Sequence, residues 1–163
     1  MKKNYSDKEL LDRRLAGILP QIDIAGQPYF IDLRLKELRA VSDPSKTIRL
    51  ANMAMDREGE HYLCFFHLPS ATVVNVPENI IAIPTDIVML QIPNELRLDP
   101  VGLARAYGLA ETFLLGKYPI REGLKAKVIP VEETGLPELV KTNLAKKQAA
   151  KKPKPKNSRS KGL

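Results

Sequence analysis

The spacing of apolar residues changes several times along the chain, and each change marks the boundary of a predicted element. Ser6 and Glu9 match the S-x-x-E capping box, in which each side chain bonds the backbone of the other residue. A helix is therefore predicted over residues 7–16, with Gly17 ending it. The apolar stripe of this helix is predicted to consist of Leu10, Leu11 and Leu15.

Beyond Gly17 the apolar residues alternate with polar ones, which is the period of a half-buried strand. Residues 21–41 therefore predict a hairpin with Gly26 in its turn. The side chains predicted to face the core are Ile22, Ile24, Phe30, Leu33 and Leu35. The side chains predicted to face solvent are Asp23, Asp32 and Arg34.

A continuous apolar run between turn-forming residues is typical of a central strand. Residues 61–68, "HYLCFFHL", are the best example, and they predict that Phe65 and Phe66 are buried on opposite faces of the sheet. Residues 46–55 fit a strand or a short helix equally well. The other extended segments are residues 71–76, residues 86–92 and, as an edge strand that tolerates Pro130, residues 125–131.

Two helices are predicted later in the chain, over residues 99–107 and 110–117. Asp99 suits the N-cap of the first helix and Pro100 its first turn. Strands that precede helices, without βαβ alternation, indicate the α+β class. The predicted architecture is a small antiparallel sheet built from N-terminal hairpins, with a C-terminal helical pair and a disordered basic tail.

The positive charge of the chain is concentrated at one end. The formal net charge is +7, yet residues 141–163 contain eight lysines, one arginine and no acidic residue, so residues 1–140 carry about −2. We predict a compact domain over residues 1–140 and a basic tail over residues 141–163. The tail is expected to be helical at its start and disordered from about residue 151, because its charged, proline-broken end offers little apolar surface to bury.

Motifs that carry enzyme chemistry are missing from the sequence. The nine glycines never occur as Gly-x-Gly, and no phosphate-binding loop, G-x-S-x-G or H-E-x-x-H motif is present. His61, Cys64 and His67 are close in sequence, but a strand places Cys64 on the face opposite the two histidines, so they cannot share a metal. The sequence predicts a protein without enzymatic activity, cofactor or metal.

The expected compartment is the cytoplasm. A single cysteine fits a reducing environment, and residues 1–14 lack the apolar stretch of a secretory signal. No apolar run reaches the ~18–20 residues of a membrane span, so no membrane association is expected.

Nucleic acid is the alternative partner that the sequence suggests. Residues 99–117 resemble a helix-turn-helix, but a packed helical corner is the preferred interpretation, because the second helix offers few polar side chains to read bases. Lysines of the tail are suited to phosphates without sequence preference. The candidate phosphate-binding residues are Lys146, Lys147, Lys151, Lys152, Lys154, Lys156, Arg159, Lys161, Arg105 and Thr112.

Two stretches resemble those of an uncharacterised family from gut Bacteroidota that is associated with mobile conjugative elements. They are "LPQIDIAGQPYFIDLRLKELR" and "LDPVGLARAYGL", and the resemblance spans residues 19–120. It implies accessory work on a mobile element and assigns no role to any residue. Two hypotheses follow: a binding or adaptor protein whose domain meets an unknown protein partner, and a DNA-binding accessory protein that uses the tail.

Overall fold

The computed structural model of the chain describes residues 4–151 and has an α+β fold, as predicted. The helices are α1 (Asp7–Leu15), α2 (Glu95–Leu98), α3 (Pro100–Ala106) and α4 (Leu136–Lys151), with a short 3-10 helix at Val131–Glu133. The strands are β1 (Gln21–Ile24), β2 (Gln27–Asp32), β3 (Glu37–Ala40), β4 (Thr47–Arg49), β5 (Ala54–Met55), β6 (His61–His67), β7 (Thr72–Val74), β8 (Ile87–Pro93), β9 (Leu124–Lys125) and β10 (Lys127–Pro130).

The strands form two sheets instead of the single sheet predicted. Sheet A has the order β4-β3-β2-β1-β9, in which only the short β9 runs parallel to its neighbour. Sheet B has the order β10-β8-β6-β5, and β7 pairs with the other half of β6 on the side where β5 lies. The predicted edge strand at residues 125–131 serves both sheets, because β9 and β10 are separated only by the buried Ala126.

Both sheets turn one face toward a shared hydrophobic core. Residues 46–55, which the sequence left open between strand and helix, supply β4 to sheet A and β5 to sheet B. The fully buried side chains of this core include Ile22, Ile24, Ile31, Leu38 and Ile48 from sheet A and Phe66, Leu90 and Ile92 from sheet B.

The predicted hairpin is present, but the inward face of its second strand was wrongly assigned. Ala25 and Gly26 both have positive φ and form a two-residue turn, so Ile22 pairs with Tyr29. Tyr29 and Ile31 consequently face the core, while Phe30 lies on the opposite face and is half-buried. Of the other predicted core residues, Leu33 is buried and Leu35 is exposed.

Asp32 was predicted to face solvent and is buried instead. Arg39, on the neighbouring strand, donates a hydrogen bond of 2.9 Å from Nη1 to its Oδ2, and Arg34 lies 3.7 Å away. Burial alone would raise the pKa of the Asp32 carboxyl, but the hydrogen bond and charge of Arg39 outweigh it and lower the pKa. The carboxylate is thus kept ionised by a cross-strand neighbour that the hairpin register supplies.

The central-strand prediction for residues 61–68 is confirmed, because β6 lies between β8 and the pair β5 and β7. Phe66 lies on the core face and is 2% exposed. Phe65 lies on the opposite face and is partly buried, so the two rings flank the strand as predicted, with Phe66 the more deeply buried. The outer face of sheet B is covered less completely than its inner face.

The C-terminal helix is present as predicted and extends across the proposed domain boundary at residue 140. Leu136 and Val140 anchor its first turns, and the Asn143 amide donates hydrogen bonds of 2.7 Å to the carbonyls of Glu78 and Ile80. From residue 144 to residue 150 every side chain is exposed. The predicted disorder falls on residues 152–163, which lie outside the described residues. Among the helices of residues 4–151, none is both long and apolar enough to cross a membrane.

Candidate functional site

The second helix predicted at residues 110–117 does not form. Gly108, with φ of +70°, ends α3, and residues 111–117 fold into successive hydrogen-bonded turns. A helix this short needs an apolar face packed on the domain, and Phe113 instead points into solvent with 66% of its surface exposed. Neither a helix-turn-helix nor a two-helix corner therefore exists at residues 99–117.

Residues 107–118, which we name the aromatic segment, expose large apolar side chains. Tyr107 is 72% exposed and Leu109 also reaches solvent, within seven residues of Phe113. The segment is nevertheless held in place: the Leu109 amide donates to the Ala104 carbonyl at 2.8 Å, and Arg105 Nε donates to Glu111 Oε2 at 2.6 Å. It presents aromatic rings on a backbone that is fixed to α3.

The two phosphate-binding candidates on this part of the chain are poorly placed for that role. Arg105 directs its guanidinium to Glu111, an acidic residue of its own chain. Thr112 is exposed, but it lies in a turn instead of on a recognition helix. The structure therefore offers no groove-reading element for these residues to belong to.

Four cations that sequence reasoning missed begin at the end of the aromatic segment and continue along the chain beyond it. Lys117, Arg121, Lys125 and Lys127 are all exposed and follow one another within eleven residues. The acidic residues of this stretch are Glu111, which pairs with Arg105, and Glu122, which accepts a hydrogen bond from the Tyr5 amide at 2.7 Å, while Asp23 lies opposite Lys125 in the pairing of β1 with β9. A local count of charge would have found this basic stretch, which the net charge of residues 1–140 conceals.

The basic candidates of the C-terminal region divide between described and undescribed residues. Lys146 and Lys147 are exposed on the free end of α4, where the described part of the helix carries no acidic residue beyond Glu138. Lys151 is the last residue of the helix. The candidates outside the described residues are Lys152, Lys154, Lys156, Arg159 and Lys161.

A cleft of about 260 Å³ lies between α1, the junction of α2 with α3, and residues 120–123. We name it the arginine cleft, because Arg13, Arg14 and Arg121 line it. Arg14 lies on α1. The apolar stripe predicted for this helix consisted of Leu10, Leu11 and Leu15 and did not include Arg14. The structure corrects that stripe: Leu15 is exposed, the other two leucines are half-buried, and Arg14 is the buried residue.

Arg14 and Asp99 form a buried ion pair across 85 residues of sequence. Arg14 donates from Nε at 3.0 Å to Oδ1 and from Nη2 at 2.8 Å to Oδ2, and the side chains are 9% and 2% exposed. Asp99 also accepts the Gly102 amide at 3.0 Å and so caps α3, as the sequence predicted. One carboxylate thereby fixes α1 against α3.

Gly102 makes this arrangement possible. A Cβ at this position would overlap Asp99 Oδ2 and lie tightly against Arg14 Nη2, 3.1 Å away. The helix can approach the ion pair only because residue 102 has no side chain. Nothing local in the sequence indicated this role, because glycine inside a helix usually weakens the helix.

The histidines and the cysteine do not converge on a metal site. His61 Nδ1 lies 2.8 Å from Asp56 Oδ2, whereas His67 Nδ1 lies 2.6 Å from Ser70 Oγ. No group of three or more His, Cys, Asp or Glu side chains within residues 4–151 is arranged to hold a metal ion. Burial raises the pKa of the Cys64 thiol to about 12, which makes the nucleophilic thiolate rare.

The Ser70–His67 pair has the composition of an activated nucleophile but lies in a β-turn. Ser70 Oγ is also 2.7 Å from Thr72 Oγ1, and its backbone amide reaches the same His67 nitrogen at 3.3 Å. These bonds close the turn between β6 and β7. Neither residue lines the arginine cleft, so the hydroxyl has no substrate pocket there.

Comparisons with protein-family models, with curated proteins and with solved structures found no match to this chain. The resemblance to a mobile-element family therefore stays a prediction. The aromatic segment, the exposed cations and the arginine cleft are therefore the features from which a function of the protein can be inferred.

Proposed function

We propose that the protein is a non-enzymatic binding protein, an adaptor that docks on a protein partner through the aromatic segment. The observation that carries the proposal is the exposure of Tyr107 and Phe113 on a segment tied to α3. Aromatic side chains dominate the energetics of protein interfaces, because they bury large areas and lose few rotamers on binding. Exposed rings on a backbone that is already held in place supply such anchors, because little conformational entropy is lost when they bind.

The charge beside these rings selects the kind of partner. The four exposed cations at residues 117–127 add positive charge to the chain directly after the rings, and an acidic protein surface would complement this charge. A second copy of this chain would oppose the same cations to themselves, which disfavours self-association here.

We expect replacement of Phe113 by aspartate to weaken partner binding by more than tenfold, because an interface anchor contributes about 2 kcal/mol or more. The partner would first be identified by placing a photo-crosslinking phenylalanine analogue at position 113 in cells that express the protein. Affinity would then be measured by calorimetry with the purified partner. Leu35→Asp is the matched control, since Leu35 is equally an exposed apolar residue but lies on the β2–β3 turn.

Three outcomes would contradict the adaptor proposal. The first is crosslinking at position 35 to the same protein as at position 113. The second is equal weakening by Phe113→Asp and Leu35→Asp. The third is a concentration-dependent dimer in sedimentation that Phe113→Asp dissolves, which would make the partner a second copy of the chain.

A second candidate function rests on the free end of α4. The helix is anchored by its first turns, and from residue 144 it presents Lys146 and Lys147 to solvent. The sequence that follows adds six more lysines and arginines and no acid. Lysines held on an exposed helix attract a phosphate backbone by counterion release, without reading its sequence.

If this second function operates, we expect weak duplex DNA binding that is indifferent to sequence and falls steeply with salt. Neutralising about six phosphates gives a slope near −5 in a plot of log affinity against log salt concentration. Deleting residues 146–163 should abolish binding, whereas Arg105→Ala and Thr112→Ala should hardly change it. Fluorescence anisotropy on two unrelated duplexes at two salt concentrations measures both effects. A sequence preference that survives the deletion would contradict this mode of binding.

A further inference from the structure

We propose that the arginine cleft binds a small organic monocarboxylate with an aryl or branched-alkyl body. This site is distinct from the aromatic rings and from α4, shares only Arg121 with the basic stretch that follows the rings, and does not depend on either proposed function. The cleft combines a floor made by a buried ion pair, apolar walls and guanidinium groups at its rim.

Arg14 has one guanidinium nitrogen, Nη1, that the contacts of the protein leave available. Arg14 makes its hydrogen bonds to Asp99 from Nε and Nη2. Within the described residues its Nη1 has no hydrogen-bond partner, and it is not among the buried unsatisfied atoms, so it is accessible to solvent. Because Arg14 lines the cleft, a ligand there can accept a hydrogen bond from a nitrogen that is already positioned.

The charge of the residues that line the cleft suits a monovalent anion. The cleft is lined by three arginines and by Asp99 and Glu122, which leaves a single net positive charge. Arg13 is steadied by stacking over the Tyr5 ring at 4.4 Å from its centroid, and Arg121 is exposed. A planar carboxylate matches both the charge and the fork of a guanidinium, whereas a doubly charged phosphate would exceed the charge.

The size of the cleft and the composition of its walls suit an apolar group. A volume of about 260 Å³ corresponds to roughly nine waters at ~30 Å³ each, enough for about ten non-hydrogen atoms. Apolar side chains surround it, and Ile18 among them is 44% exposed in the unliganded protein. The other apolar residues of the walls are Leu10, Leu19, Pro20, Leu98, Pro100 and Ile120. An aryl or branched-alkyl group would cover this surface.

The probe we choose is phenylacetate, with phenylacetamide as its uncharged match. Titration of the isotope-labelled full chain by NMR should give saturable shifts of amides at residues 10–21, 98–100 and 120–123. Arg121→Gln should weaken phenylacetate by about tenfold, because the carboxylate loses a charged hydrogen-bond donor. Arg57→Gln, which removes an exposed arginine outside the cleft, should leave the affinity unchanged.

Arg14 is left unchanged in these variants, because removing it would disturb the fold. Equal binding of phenylacetamide, equal loss in the Arg57 variant, or the absence of saturable shifts at millimolar phenylacetate would overturn the proposal. The last titration uses a tripeptide with a blocked N-terminus and a C-terminal phenylalanine whose carboxylate is free. If it binds more than tenfold tighter than phenylacetate, the site takes a chain terminus and the small-molecule proposal fails.

Discussion

Replacing Arg14 by methionine is expected to destabilise the protein by about 3–5 kcal/mol, which for a chain of this size lowers the melting temperature by roughly 10 °C. Methionine fills the volume of the arginine stem but leaves Asp99 as a buried carboxylate without its cation. The carboxylate is only 2% exposed, so without Arg14 it stays largely buried and lacks its charge partner. The measurement is chemical denaturation followed by circular dichroism.

Two further variants separate the loss of the ion pair from a general effect of changing the helix. Arg13→Met removes the neighbouring, exposed arginine of α1 and should cost less than about 1 kcal/mol, the value expected for a surface cation stacked on a ring. In the Arg14→Met background, Asp99→Asn should restore part of the stability, because asparagine keeps the cap on Gly102 while removing the unpaired charge. A loss under 1 kcal/mol for Arg14→Met, or no recovery in the double variant, would show that the pair does not hold α1 in place.

The sequence predicted those parts of the fold that depend on local patterns. The capping box of α1, the turn at Gly26 and the cap of α3 all form as expected, because each is decided by residues within four positions of one another. The continuous apolar run of β6 likewise required a buried strand wherever the chain placed it. Local chemistry of this kind can be read without knowing the tertiary structure.

The errors arose where distant parts of the chain decide the outcome. Arg14 appeared to be a solvated helix residue, and nothing near it in the sequence indicates Asp99, which is 85 positions away. Asp32 was placed in solvent because its burial depends on Arg39, which becomes its neighbour only when β2 pairs with β3. The helix expected at residues 110–117 fails for the same reason, since no surface is available to cover Phe113.

The candidate sites also divide into those that local sequence indicates and those that only the tertiary fold creates. The lysines of the C-terminal region stand out in composition alone, so the sequence could identify them. The arginine cleft brings together α1, the start of α3 and residues 120–123, and only the tertiary fold makes them neighbours. The aromatic segment was read as a helix because its apolar residues were assumed to be packed, whereas their exposure is what makes the segment a candidate interface.

Replacing Phe66 by alanine is expected to cost about 3–5 kcal/mol, the range for removing a fully buried aromatic ring. Phe66 is 2% exposed and lies on the core face of β6, opposite Val88 of β8 and Val73 of β7. Removing the ring leaves a cavity between the two sheets, which neighbouring strands cannot close without breaking their register.

Phe65→Ala is the matched control, because the same ring is removed from the next residue of the same strand. Phe65 faces outward and is half-buried, so its loss leaves a partly solvated depression in place of a cavity, and we expect less than half the cost. Denaturant titration of both variants measures the difference. Should Phe65→Ala prove as costly as Phe66→Ala, the outer face of sheet B must be covered as completely as the core, and the placement of the hydrophobic core between the two sheets would have to be revised.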